Sequence, residues 1–274
     1  ILNIVLNIFF VVVCKRSADG VALASIITQY LSAVLIMIRM MKSDGACRFE
    51  FKNLKVTPAK AKQLLILGIP AAFQNAIFAI ANLFIQTAVN SFDHVMVEGN
   101  SAAANADAVI YNVMAAFYTA CSTFMGQNLG SGKPKRVLES YFISLSYSFV
   151  SGALLGLALV MFGRTFLALF TKDAAVADAG MQRIMIMGFS YMLSAPMDCT
   201  IAASRGLGKS IVPTVIVIMG SCVFRVIWVY TVFASIGTIP SLYLLYAFSW
   251  VITAAAETVY FIITYKKTAR TMAW

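Results

Sequence analysis

Of 274 residues, 61% are hydrophobic and 12% charged, against roughly 45 to 50% and 25% in a soluble globular chain. That balance excludes an ordinary water-soluble domain and indicates an integral membrane protein. The net charge of +10 is no nucleic-acid footprint, because the basic residues sit in the gaps between apolar runs instead of along one amphipathic face, as expected where loop charge fixes topology.

With a membrane span of about 20 residues in mind, the first apolar stretch, residues 1–13, is too short. It starts at Ile1 and has neither a basic leading region nor a small-residue cleavage site, so it reads as the end of a longer helix and the chain as N-terminally truncated. Apolar runs follow at 20–41, 64–90, 101–126, 138–162, 181–203, 212–236 and 241–265. The expected fold is all-α, a polytopic membrane bundle. Residues 1–41 supply two helices of a first lobe, 42–63 a linker, 64–265 a six-helix lobe and 266–274 a tail.

Lysine and arginine counts orient the spans. Lys42, Arg48, Lys52, Lys55, Lys60 and Lys62 fall in one gap, Lys133, Lys135 and Arg136 in another, Arg205 and Lys209 in a third, and Lys266, Lys267 and Arg270 at the end. These fourteen face Lys15, Arg16, Arg164, Lys172 and Arg183 in the opposite gaps, which places the first set in the cytoplasm. In the linker, Thr57 and Pro58 read as a helix N-cap and first helical residue.

Two glycine-rich stretches imitate a phosphate loop. In "ASRGLGKS" (203–210) the first required glycine is replaced by Ala203, and in "GQNLGSGKP" (126–134) the glycines are six apart and Pro134 stands where a hydroxyl is needed. Both read as turns between antiparallel helices. Cys14, Cys47, Cys121, Cys199 and Cys222 are scattered, and His94 is alone, so the cysteines are read as apolar packers and no metal site is expected. No cofactor is called for.

A weak repeat divides the chain. The hairpin Asn3 to Lys42 recurs as Arg225 to Lys266, with offsets of 222 and 224. A six-helix unit of that period would start roughly 160 residues upstream of this chain, as in transporters built from repeated halves.

Ionisable groups inside apolar runs are costly in hydrocarbon and mark cavities or partners. They are Asp107, Asp198, Arg225 and Glu257. At ~1.5 Å rise per residue, Asp198 lies ~9 Å, Glu257 ~12 Å, Arg225 ~20 Å and Asp107 ~28 Å from the cytoplasmic helix ends, so Glu257 has two readings. It either pairs structurally with Arg225 or serves transport.

Polar stripes repeat at helical spacing. They are Asn75, Asn82, Gln86 and Asn90; Asp107, Tyr111, Tyr118 and Ser122; and Tyr246, Ser249, Thr253, Glu257 and Tyr260. Such stripes can simply bond their own helix or glue helices together, but amides, tyrosines and carboxylates on three helices fit a shared water-filled cavity, whose aromatic faces would suit an amphipathic organic cation. Pro70 and Pro196 interrupt spans, Pro196 two residues before Asp198.

The stretches "GIPAAFQNAIFAIANLFIQTAVNSF", "FMGQNLGSGKPKR", "ASRGLGKSIVP" and "FRVIWVYTVF" resemble the bacterial branch of the multidrug and toxic compound extrusion (MATE) transporters. The resemblance covers essentially the whole chain, as the last two helices of a first lobe and all six of a second. It implies two six-helix bundles around a central cavity in the bacterial inner membrane, exporting cationic drugs in exchange for sodium ions or protons. Asp198 falls near a position where members carry an acid linked to cation coupling. The acid that some members carry on the first helix of this lobe has no counterpart, since 64–90 holds no Asp or Glu.

The expected site therefore comprises Asp198, Glu257, Asn75, Asn82, Gln86, Asp107, Tyr111 and Tyr246, with the lipid bilayer, small amphipathic cations and an absent N-terminal lobe as partners. The rival readings are a flippase for lipid-linked saccharides or a related lipid, whose cavity should be more basic, and an inactive fragment. No enzyme motif such as His-Glu-x-x-His or Gly-x-Ser-x-Gly is present.

Overall fold

The computed structural model describes residues 1–43, 48–53 and 55–272. All regular structure among them is helical: α1 Leu2–Val13, α2 Ala18–Met41, a short 3-10 turn Phe51–Asn53, α3 Pro58–Val89, α4 His94–Gly130, α5 Pro134–Leu167, α6 Ala174–Gly206, α7 Ile211–Ile236 and α8 Ile239–Met272. The last seven helices are long and apolar enough to cross a membrane. Each outruns its apolar stretch because a helix continues until its backbone is capped, not until its side chains turn polar. Thus α3 opens at Pro58, and α4 and α6 are capped by Asp93 and Asp173, whose carboxylates accept from the Met96 and Ala175 amides.

The chain divides into two units, Ile1–Lys60 and Ala61–Trp274. In the first, α1 packs beside α2, Asn3 donates to Thr28 Oγ1 at 3.2 Å, and Gly20 gives α2 room next to Phe10 and Arg16. Much of the expected linker lies here; its Asp44 to Cys47 and Leu54 fall outside the described residues.

In the second unit α4, α5 and α6 form a close-packed trio, with α8 against α6. Backbones meet at glycines. A Cβ at Gly156 of α5 would stand 2.0 Å from the Gly188 carbonyl oxygen of α6, and one at Gly99 of α4 would stand 2.7 Å from the Gly180 nitrogen. At Gly163 the obstacle is instead the Met181 sulfur, at 2.7 Å. A core of Ile110, Met114, Met187, Tyr191, Val217 and Trp250 joins α4, α6, α7 and α8. Outward faces carry Leu154, Met161, Phe189 and many like them, as a hydrocarbon surround allows.

Both false phosphate loops are helix-to-helix turns. Gly132 (φ 66°) and Gly208 (φ 76°) take the left-handed conformation just past α4 and α6, where the Lys133 and Lys209 amides reach back to the carbonyls of Asn128 and Ser204. Neither turn frees backbone amides for phosphate. Helix α7 departs from regular form, with wide π turns at Ile218–Val223 and Val229–Phe233 on either side of Arg225. Cys121, Cys199 and Cys222 are buried thiols and Cys14 an exposed one; Cys47 lies outside the described residues.

Candidate functional site

Helices α3, α4, α6, α7 and α8 surround a cavity of about 400 Å³ within the Ala61–Trp274 unit. Asn82 and Gln86 reach it from α3, Asn100, Asp107 and Tyr111 from α4, Arg183 and Asp198 from α6, Arg225 from α7, and Tyr246 and Trp250 from α8. An adjoining pocket between α3, α4 and α6 shares Phe78, Asn82 and Asp198 with it and adds Gln74, Asn75, Tyr118 and Arg205. Asp198 therefore stands where the two spaces meet. Of the expected site residues, Asn82, Gln86, Asp107, Tyr111, Asp198 and Tyr246 line the cavity and Asn75 the adjoining pocket, whereas Glu257 lines neither.

Toward the N-terminal ends of α4 and α6 the polar groups are bonded to one another. Arg183 donates through Nη1 to Asn100 Oδ1 at 2.6 Å and through Nη2 to one oxygen of Asp107, while the Tyr191 hydroxyl donates to the other. Tyr243 also donates to Asn100 Oδ1, at 2.6 Å, and its ring lies 5.0 Å from the Arg183 guanidinium. Both Asp107 oxygens are taken, so this carboxylate is held by an ion pair. The gap reading of Arg183 is corrected: it is a buried residue in the third turn of α6. A positional signal was available in the chain. Asp107 stands 23 residues before Gly130 and Arg183 the same 23 before Gly206, which sets them at equal depth on two helices that run in the same direction.

Arg225 and Glu257 do not pair. Arg225 donates through Nε to Ser249 Oγ at 3.1 Å, and its guanidinium lies 4.5 Å from the Tyr246 ring centre, 5.5 Å from Phe78 and 5.9 Å from Trp250. Ser249 precedes Glu257 by eight residues, ~12 Å along α8, which puts the carboxylate out of reach. Glu257 is fully buried with neither oxygen hydrogen-bonded. The ion pairs among the described residues include none with Asp198, Arg225 or Glu257.

Asp198 has one buried carboxylate oxygen, Oδ2, without a hydrogen-bond partner. It follows Pro196, whose missing N–H leaves the Met192 carbonyl without its helical donor. Below it Arg205, in the last turn of α6, donates to Gln74 Oε1 at 2.8 Å. Gln74 sits one residue off the amide stripe, and Arg205 reads in the sequence as a turn residue, so neither stands out there. Within the stripe, Gln86 donates to Asn90 Oδ1 at 2.9 Å.

Residues 70–231, more than half of the chain, match the MatE family model. The chain belongs to the MatE family. This MatE chain is 26% identical over 181 residues to a protein of Shewanella oneidensis named FAD transporter, covering 65% of this chain and 39% of the relative. It is 24% identical over 208 residues to the probable multidrug resistance protein NorM of Halalkalibacterium halodurans, covering 71% and 44%. The chain thus spans less than half the length of the curated relatives it matches. Among solved structures, an outward-facing multidrug resistance MATE family transporter superposes with a TM-score of 0.88 at 16% identity, over 98% of this chain and 61% of that one. A transporter of the same superfamily from Pyrococcus furiosus, described as having a binding pocket of reverse polarity, gives 0.87 at 16% identity, over 97% and 60%. The MatE chain therefore shares the MATE fold and is a multi-pass membrane protein of a transporter family.

Proposed function

We propose that the protein containing this chain is a secondary active exporter of small amphipathic organic solutes, working by alternating access and exchanging them for sodium ions or protons. Asp198 is the exchangeable carboxylate, and residues 42–63 face the cytoplasm. The single observation that carries this reading is the position of Asp198, with an unpartnered buried oxygen at the meeting of two polar spaces. A carboxylate with one oxygen free of a fixed partner can take up and release a cation, whereas Asp107, held through both oxygens by Arg183 and Tyr191, cannot do so without breaking that network.

The named relatives divide between FAD transport and multidrug resistance, so the solute has to be read from this chain's own lining. The expectation of organic cations rested on aromatic faces beside buried carboxylates and on the family resemblance. In the structure Asp107 is neutralised by Arg183 and Glu257 is off the cavity, so the lining holds Asp107 and Asp198 against Arg183 and Arg225.

Asp198→Asn is expected to abolish gradient-driven dye efflux from cells while leaving the amount of protein in the membrane unchanged. Unaltered efflux with unaltered sodium or proton dependence would overturn the assignment. For the orientation, Lys52→Cys in a background free of Cys14 and Cys47 should resist an impermeant thiol reagent in intact cells; ready labelling from outside would reverse the topology.

A further inference from the structure

Arg225 is 3% exposed, and one edge of its guanidinium is fixed by the bond from Nε to Ser249 Oγ. Ser249 is itself tied into α8 through its hydroxyl, which donates to the Tyr246 carbonyl at 2.9 Å, and through its carbonyl, which accepts from Thr253 Oγ1 at 2.6 Å. The terminal nitrogens of Arg225 form no hydrogen bond or ion pair among the described residues, and the side chain lines the cavity. A guanidinium is a fork of donors matched to planar anions, and its attraction for an anion strengthens as water is excluded. Here Tyr246, Phe78 and Trp250 crowd it with ring faces and edges. The other arginine of the cavity has its charge answered by Asp107.

We infer that Arg225 anchors an anionic group of the transported solute, and that the cavity selects a small, flat aromatic anion whose ring packs beside Tyr246 and Trp250. The inference deepens the export reading and rests on it: Asp198 holds the coupling cation while Arg225 holds the solute. The volume of about 400 Å³ suits a bicyclic aromatic acid, near the lower end of ligand pockets.

Three probes that share one ring system decide it: 1-naphthoate, 1-naphthamide and 1-naphthylmethylammonium, titrated calorimetrically into the purified protein in nanodiscs with no ion gradient. Naphthoate is expected to bind at least about tenfold more tightly than the amide, as one charge-assisted contact supplies, with the ammonium weakest. Arg225→Gln should level the three, and Arg225→Lys should keep their order at lower affinity. Tightest binding of the ammonium, or a preference for naphthoate that survives Arg225→Gln, would overturn the inference. Should Arg225→Gln fail to fold, the ranking in the parent protein decides alone. Gradient-driven flux is read separately in vesicles: naphthoate binding without flux defeats the export reading and spares the anion site, and flux with cation-selective binding does the reverse.

Discussion

Along α5 and α6 the two backbones touch, with the Gly188 carbonyl filling the place where a side chain of Gly156 would begin. Along α3 the neighbouring backbones stay away. A Cβ at its Gly68 would meet nothing within 4 Å, and the helix is held by longer side chains such as Ile85 and Val89 against Leu242 and Leu245. The cavity lies on this second side, between α3 and the helices α4, α6, α7 and α8. Without a strong hydrophobic force between helices in lipid, close packing of small residues gives cohesion, and where it lapses there is room for polar side chains and a solute. The α4–α6 trio is the close-packed, fixed wall, and α3 is the loosely packed one.

The largest expected effect breaks the fixed wall. Gly156→Val should abolish folding, because overpacking that usually costs about 1–3 kcal/mol here meets backbone that cannot step aside. Fluorescence-detected gel filtration should show no monodisperse peak; a normal one would mean that α5 and α6 do not touch. Next comes the polar clasp between α4 and α6. Arg183→Gln should destabilise by roughly 3 to 5 kcal/mol by stranding Asp107, and adding Asp107→Asn should recover much of it. A double variant melting where additivity puts it would deny the pair.

On the loosely packed side effects shrink. Gly68→Ala should stabilise α3 by ~0.5–1 kcal/mol, since an open helical glycine costs about that; a fall in melting temperature would show an unseen neighbour there. Smallest is the coupling of Arg225→Gln with Glu257→Gln, which should be additive within ~0.5 kcal/mol because the groups do not meet. Strong coupling would restore the pairing that the sequence left open.

Hydropathy alone places the seven helices long enough to cross the membrane, because the membrane demands a long apolar run of each, and the start of α3 at Pro58 and both glycine turns follow from local chemistry. The stripes on α3, α4 and α8 likewise foretell five of the residues that line the cavity. What the sequence hides are partnerships. Arg183 sits at the edge of its apolar run, where a charge ordinarily marks a helix end, and its bonds to Asn100 and Asp107 depend on how α4 and α6 are rotated about their axes. Glu257 shares a stripe with Tyr246 but lies eleven residues, ~16 Å, further along α8, beyond the part of the helix that lines the cavity. The π turns of α7 leave no mark in composition.

The glycine contacts also govern what second-site genetics can repair. A larger residue at Gly163 meets the flexible Met181 side chain, so trimming Met181 should act as a suppressor. At Gly156 the obstacle is a main-chain carbonyl, which every amino acid carries. No substitution at residue 188 can remove it, and a selection for revertants of Gly156→Val should return glycine at 156 and nothing at 188.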